Sequence, residues 1–330
     1  MSGIAVNTSA SRFDLPSELA ERVDAYRCER LARLAEILDR IPGSDRYPWG
    51  GPAAAESALC YALAHHVFEG VSRAAQHGDV AAVTRSLALR TDQQALRPVR
   101  TESGTMVVVR PDRAAFVDDP ALATSPVVIL TPELATSTGD GDELVRRARD
   151  IAVTAGFGST MRRNSRVVVL FAERRPTDDN VRSWTTTALP ATVHLDYFAE
   201  PGYVARDLIH EAAHSELNDL FAAYGVDLPA DVSYYAPWLD THRPVFGFLH
   251  GNWAFSHVAL FCRWLSETGP SPEVRAFAGA MYLKHAEQLA TARADLDRAL
   301  RLLPVPPLAE LIARYRDEVL EGVTAGSTPS

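Results

Sequence analysis

From Ser17 to Ile41, the apolar residues Leu19, Val23, Tyr26, Leu31, Leu34 and Leu38 recur at the intervals of one helical face. Ser17 can cap that helix, and Ile41-Pro42-Gly43 ends it. Tyr47-Pro48-Trp49-Gly50-Gly51-Pro52 reads as a turn-rich connector. Two further helices are expected over Ala53 to Gln76 and Asp79 to Leu89. The pattern then changes. Met106 to Val109, Val127 to Leu130 and Val167 to Leu170 are short β-branched runs with the length of buried strands. Gly141 to Ala155 reads as an interleaved helix, and Ser183 to His194 as a strand or hairpin. Helical spacing returns over Tyr203 to Phe221, His250 to Ser266, Pro272 to Leu303 and Pro307 to Leu320. Met1 to Asp14 and Glu321 to Ser330 are small, polar and loose ends.

Helices, then strands with a helix between them, then helices predict an α+β, predominantly helical fold. The parts are a helical N-terminal region over 1–95, a mixed α/β region over 96–200, a helical region over 201–320 and a tail over 321–330. One domain could contain them all. With 330 residues and 47% hydrophobic content the chain can build a sizeable core.

A net charge of −9 argues against a nucleic-acid partner. Lys284 is the only lysine, so the basic residues are almost all arginine, as in a GC-rich bacterial genome. Cys28, Cys60 and Cys262 form no C-x-x-C pair, which points away from a disulfide framework or a thiolate zinc site. No apolar run is long enough to span a bilayer, and the N-terminus lacks the plan of a signal peptide. The expectation is a cytoplasmic protein with no membrane partner.

The chemistry begins at His210-Glu211-Ala212-Ala213-His214. Histidines four apart on a helix stand about one turn, roughly 6 Å, apart along its axis. Two imidazoles at that spacing can grip one divalent ion, and in a peptidase the intervening glutamate takes a proton from metal-bound water. The third ligand decides the class. Leu217 and Leu220 occupy the glycine and histidine positions of the metzincin extension, which excludes that branch. After Glu216, too close to His214 to serve, no glutamate occurs until Glu267. His250 is the preferred third ligand, expected at the start of an aromatic helix. His257, His242, Asp240 and Glu267 are the alternatives. Arg243, in a turn before Pro244, is a candidate clamp for a carboxylate. A metal with a nearby arginine suits a 2-oxo-diacid.

These residues resemble a known family. His210-Glu211-Ala212-Ala213-His214, followed by His242-Arg243-Pro244-Val245-Phe246-Gly247-Phe248-Leu249-His250-Gly251, is similar to the H-E-x-x-H-motif peptide-modification proteins of bacterial peptide natural-product clusters. The resemblance covers roughly Leu195 to Ser266. It implies a non-haem dioxygenase that uses Fe(II), 2-oxoglutarate and O2 to β-hydroxylate residues of a ribosomally made precursor peptide. It further implies that His210, His214 and His250 are iron ligands and that Arg243 holds 2-oxoglutarate. The commoner iron site has two histidines and a carboxylate, so Asp240 or Glu211 also stays open as a ligand. Glu211 would otherwise hydrogen-bond a ligand or a bound water.

Two other classes stay open. One is a zinc metallopeptidase, which keeps Glu211 as the catalytic base. The other is a non-catalytic peptide-binding protein with a vestigial site. Tyr234, Tyr235 and Trp238 are candidates for lining a substrate groove, with packing under a loop as the plainer alternative.

Overall fold

The β-branched runs build the centre of the molecule. The computed structural model describes residues 13–49, 56–90, 98–134, 140–175 and 181–326. The connector at 50–52, the expected helix start at 53–55, the boundary near 95 and the loose ends at 1–12 and 327–330 lie outside the described residues. The fold is α+β and predominantly helical. Its main sheet has five strands: β1 (Val99–Thr101), β2 (Gly104–Val109), β5 (Val167–Arg174), β6 (Ser183–Thr186) and β7 (Leu189–Phe198). Their order is β1-β2-β5-β7-β6. The three central strands are parallel, and both edge strands run antiparallel to their neighbours.

Alternation along the central strands divides the core in two. Val108, Val168 and Val193 face one hydrophobic cluster, and Val107, Val109, Val167 and Val169 face another. A sheet covered on both faces needs no polar alternation, which explains the continuous apolar runs. On the second face lie α2 (Ser57–Gln76) and α3 (Val80–Ala88), through Leu59, Leu63, Val67 and Leu87. On the first lie α1 (Ser17–Asp39), α4 (Asp140–Ala152), α5 (Gly158–Asn164) and the long helices α6 (Pro201–Tyr224), α7 (Val245–Thr268), α8 (Pro272–Leu300) and α9 (Pro306–Gly326). That cluster joins Leu19, Val168 and Leu208, so one core runs through all three expected regions.

Several expected boundaries shift, each for a local reason. Ser17 is the first residue of α1 rather than its cap; Pro16 holds the cap position and no side chain of the described residues bonds there. The helix of the mixed region turns sharply at Gly156, whose φ of 97° is open to glycine. Only Val127–Val128 (β4) is strand in its run, and it pairs with β3 (Phe116–Val117) outside the main sheet. Part of the expected tail is helix, since α9 continues to Gly326 with Val323 packed on the core.

Buried histidines tie the β4 segment down. The Val128 N–H donates to Nε2 of His194 at 3.2 Å, and the Leu130 N–H to Nδ1 of His66 at 3.1 Å. His66 Nε2 meets Thr192 Oγ1 at 3.0 Å. Both rings are wholly buried. Burial pushes each from the ordinary 6.5 down to about 3. A folded value below the unfolded one means that the unfolded chain binds more protons in between. The stabilisation is therefore complete above pH 6.5 and is lost as pH falls towards 3. Each ring is expected to contribute about 1.4 kcal/mol per pH unit across that window. Urea midpoints taken from pH 7 to pH 4 should fall, less steeply for His66→Gln. An unchanged slope in that variant would contradict the assignment.

Candidate metal centre

The H-E-x-x-H stretch lies in the middle of α6. Pro201 begins the helix, Glu200 caps it by accepting the Gly202 N–H at 3.1 Å, and Gly225 closes it at φ 60°. The motif is thus held by a fully formed helix on both sides. His210 and His214 point to one face with their Nε2 atoms 3.1 Å apart. Two nitrogens bound to one ion at about 2.1 Å would be roughly 3 to 3.4 Å apart, so the pair has the spacing of one coordination edge.

His250 comes to the same place. It is 36 residues from His214 in sequence, and its Nδ1 lies 3.2 Å from Nδ1 of His214. The expectation that His250 starts its helix is corrected: α7 begins at Val245, so His250 stands more than a turn inside it. Val245 needs no capping side chain, because its N–H donates to the Val232 carbonyl at 3.1 Å. Phe246 and Phe221 flank the His250 ring, with centroids 4.3 and 5.6 Å away.

Burial lowers all three imidazoles. His214 drops to about 4, while His210 and His250 fall well below the usual range, with His214 adding to the effect on each. Each ring is therefore neutral, with one lone pair free for a metal or a proton donor. His214 faces His210 with one nitrogen and His250 with the other. One of those contacts must donate and the other accept, so the three rings form an ordered hydrogen-bond chain. Nε2 of His250 is buried at its end without a hydrogen-bond partner among the described residues.

The donor set and the His210–His214 spacing fit a divalent ion. The third ring does not yet aim at the same point, and among the described residues no group of three or more His, Cys, Asp or Glu is arranged to hold a metal. The reason is the use of both His214 nitrogens.

Glu211 is buried beside His210, turned towards β6. It accepts a hydrogen bond from Ser183 Oγ at 2.7 Å and another from the Thr185 backbone N–H. Both donors belong to edge strand β6. Burial outweighs those bonds and pushes its carboxyl up to about 8. Its Oε1 remains 3.9 Å from Nε2 of His210.

Arg243 is exposed in β9 (Thr241–Pro244), which pairs with β8 (Ser233–Ala236) as a hairpin leading into α7. Its guanidinium lies over Gly247, where a Cβ would come within 3.1 Å of Nε. That puts its charge on the first turn of the helix that carries His250. Among the described residues no ion pair holds it.

The three candidate groove residues separate. Tyr234 packs on Phe248 and under Arg298, and Tyr235 donates to Asp240 at 2.6 Å within the hairpin. Trp238 lies flat on Gly251, where any Cβ would come within 2.5 Å of its ring. Glycine after His250 is therefore a packing requirement. Trp238 also meets Phe255, whose centroid is 5.0 Å from His210, so Trp238 and Phe255 form an aromatic wall reaching the histidines.

Of the alternative ligands, His257 lies near the three rings: it is close enough to depress His210 and to be depressed by His214. It is fully buried, with its Nδ1 bonded to the Trp253 carbonyl at 2.8 Å and its Nε2 without a hydrogen-bond partner among the described residues. His242 is exposed in β9, and Asp240 is engaged with Tyr235. Glu267 is near the far end of α7, about 25 Å along the axis from His250. His285 was not expected at the site. It sits on α8 with its ring 4.8 Å from Phe255, close enough to depress His210. Nothing in the spacing of the α8 sequence relates it to the motif, because only the packing of α8 on α7 brings it there. No family model matches the chain, and no curated protein matches it either.

Proposed function

We propose that this protein is a cytoplasmic oxygenase that uses Fe(II), 2-oxoglutarate and O2 to β-hydroxylate residues of a ribosomally made precursor peptide. The observation that carries this reading is the division of labour within the motif. His210 and His214 turn to one face and His214 meets His250, while Glu211 turns to β6 and is occupied by Ser183 and Thr185. A hydroxylase needs metal ligands and no carboxylate base, which suits a glutamate bound to the fold. When bound, the iron would supply the oxidising chemistry. His210, His214 and His250 would hold it, and Arg243 would take the distal carboxylate of 2-oxoglutarate through its two-pronged guanidinium. Glu211 braces α6 against the sheet and so fixes the orientation of His210. Trp238 and Phe255 offer the peptide an apolar wall beside the ligands.

A zinc metallopeptidase is the second reading, favoured by one distance. Glu211 Oε1 is 3.9 Å from His210 Nε2, which keeps it near any bound ion. To act as a base it would first have to leave Ser183 and Thr185.

One reconstitution separates the two. Protein loaded anaerobically with Fe(II) is given 2-oxoglutarate, O2 and a candidate precursor. Succinate together with a peptide heavier by one oxygen atom is the expected result. Peptide cleavage with zinc and no succinate would sink the oxygenase.

A further inference from the structure

A cavity lies away from the histidines, between α1, the start of α2, the β1–β2 hairpin and α5. Its volume is about 580 Å³. Arg27, Arg162, Arg163 and Arg166 line it together with Asp24, Glu56 and Glu102. Three of them are matched: Arg27 by Asp219, Arg163 by Asp24 and Arg166 by Glu56. Arg162 is exposed and has no ion pair among the described residues.

The wall behind adds a further cation. Arg149 is wholly buried and donates to Ser103 Oγ at 2.7 Å and to the Met161 and Ser165 carbonyls, with no carboxylate among these partners. It and Arg166 repel each other, which together with burial lowers it to about 9. Arg166 is 3% exposed, and its Nε has no hydrogen-bond partner among the described residues. Its guanidinium rests on Gly104, where a Cβ would lie 2.7 Å from Nη1. That glycine has φ +99°, so the turn and the bare surface under Arg166 depend on the same residue.

Ser57 and Ala58, the first residues of α2, also face the cavity. Among the described residues no side chain caps this helix, whose first internal bond runs from the Cys60 N–H to the Glu56 carbonyl. Its leading N–H groups therefore turn their partial positive charge to the same space.

We infer that this cavity is a binding site for a small molecule carrying a phosphate or carboxylate group. The uncapped helix start, the unpartnered edge of Arg166 and the unpaired Arg162 would each find an acceptor in one oxyanion, and the two buried guanidiniums would be relieved of their mutual repulsion. The site is independent of the metal chemistry proposed above.

The test is a titration of the protein with inorganic phosphate and, separately, with succinate, against chloride at equal ionic strength. Thermal melting and calorimetry are followed. A saturable rise in Tm with either anion is expected, and Arg162→Gln should weaken it about tenfold. Arg162 is on the surface, so its loss leaves the fold intact. Arg243→Gln should leave the response unchanged, which separates this cavity from the 2-oxoglutarate site. A response to phosphate alone assigns a phosphorylated ligand, and one to succinate alone assigns a carboxylate. No saturable response to either, or one that Arg162→Gln leaves intact, overturns the inference.

Discussion

Replacing His214 with alanine is expected to abolish metal binding, while His257→Ala leaves it unchanged. The His214 ring meets both of the others, at 3.1 Å and 3.2 Å, so its removal takes away one ligand and separates the remaining two. The loss should exceed the roughly 10- to 100-fold that an outer partner of a metal ligand typically costs. His257 is the proper control, because it is also a buried, neutral histidine on α7. Its Nδ1 is committed to the Trp253 carbonyl, and its ring packs against Trp253 and Tyr315. Equilibrium dialysis with Fe(II) under argon, or titration with Co(II) followed by absorption, measures both variants. A His214→Ala protein that binds metal like the parent removes the site.

Arg27→Met is expected to be the most damaging single change to stability, costing about 3 to 5 kcal/mol. Arg27 is 6% exposed and joins three parts of the molecule. Its Nε donates to Asp219 on α6 at 2.8 Å, its Nη1 to the Arg163 carbonyl at 2.8 Å and its Nη2 to Asn164. The Tyr61 ring lies 5.2 Å away. Methionine can fill the stem of this side chain but leaves Asp219 buried without its partner. The cost therefore comes mainly from the stranded carboxylate. Replacing both partners, Arg27→Met with Asp219→Leu, should recover most of it. Urea denaturation of the two single variants and the double one closes the cycle. A single-variant loss below about 1 kcal/mol would mean that the pair behaves as an exposed one.

The sequence made the regular parts of this fold legible where one period dominated. Alternation is invisible in a sheet covered on both faces, but the β-branched runs at Val107 and Val167 marked its strands all the same. The hairpin over Ser183 to His194 and all the long C-terminal helices were readable in the same way. What escaped depended on partners distant in the chain. Ile129 and Leu130 look like strand, yet the N–H groups of Val128 and Leu130 are taken by buried histidines on other elements. The β8–β9 hairpin has no apolar run, since β9 is exposed throughout. At the candidate site, spacing named His210 and His214, and His250 was picked out by its place before a helix. His285 and the Ser183–Glu211 contact were not legible, because each is made by tertiary packing alone.

The contact between Glu211 and β6 has a consequence for solubility. β6 ends the sheet, and an open strand edge is a template on which a second molecule can add its own strand. The carboxyl of Glu211 lies across that rim and occupies the Thr185 amide that an incoming strand would use. The glutamate of the motif thus also guards against self-association. It has that effect whether or not the chemistry asks it to move a proton.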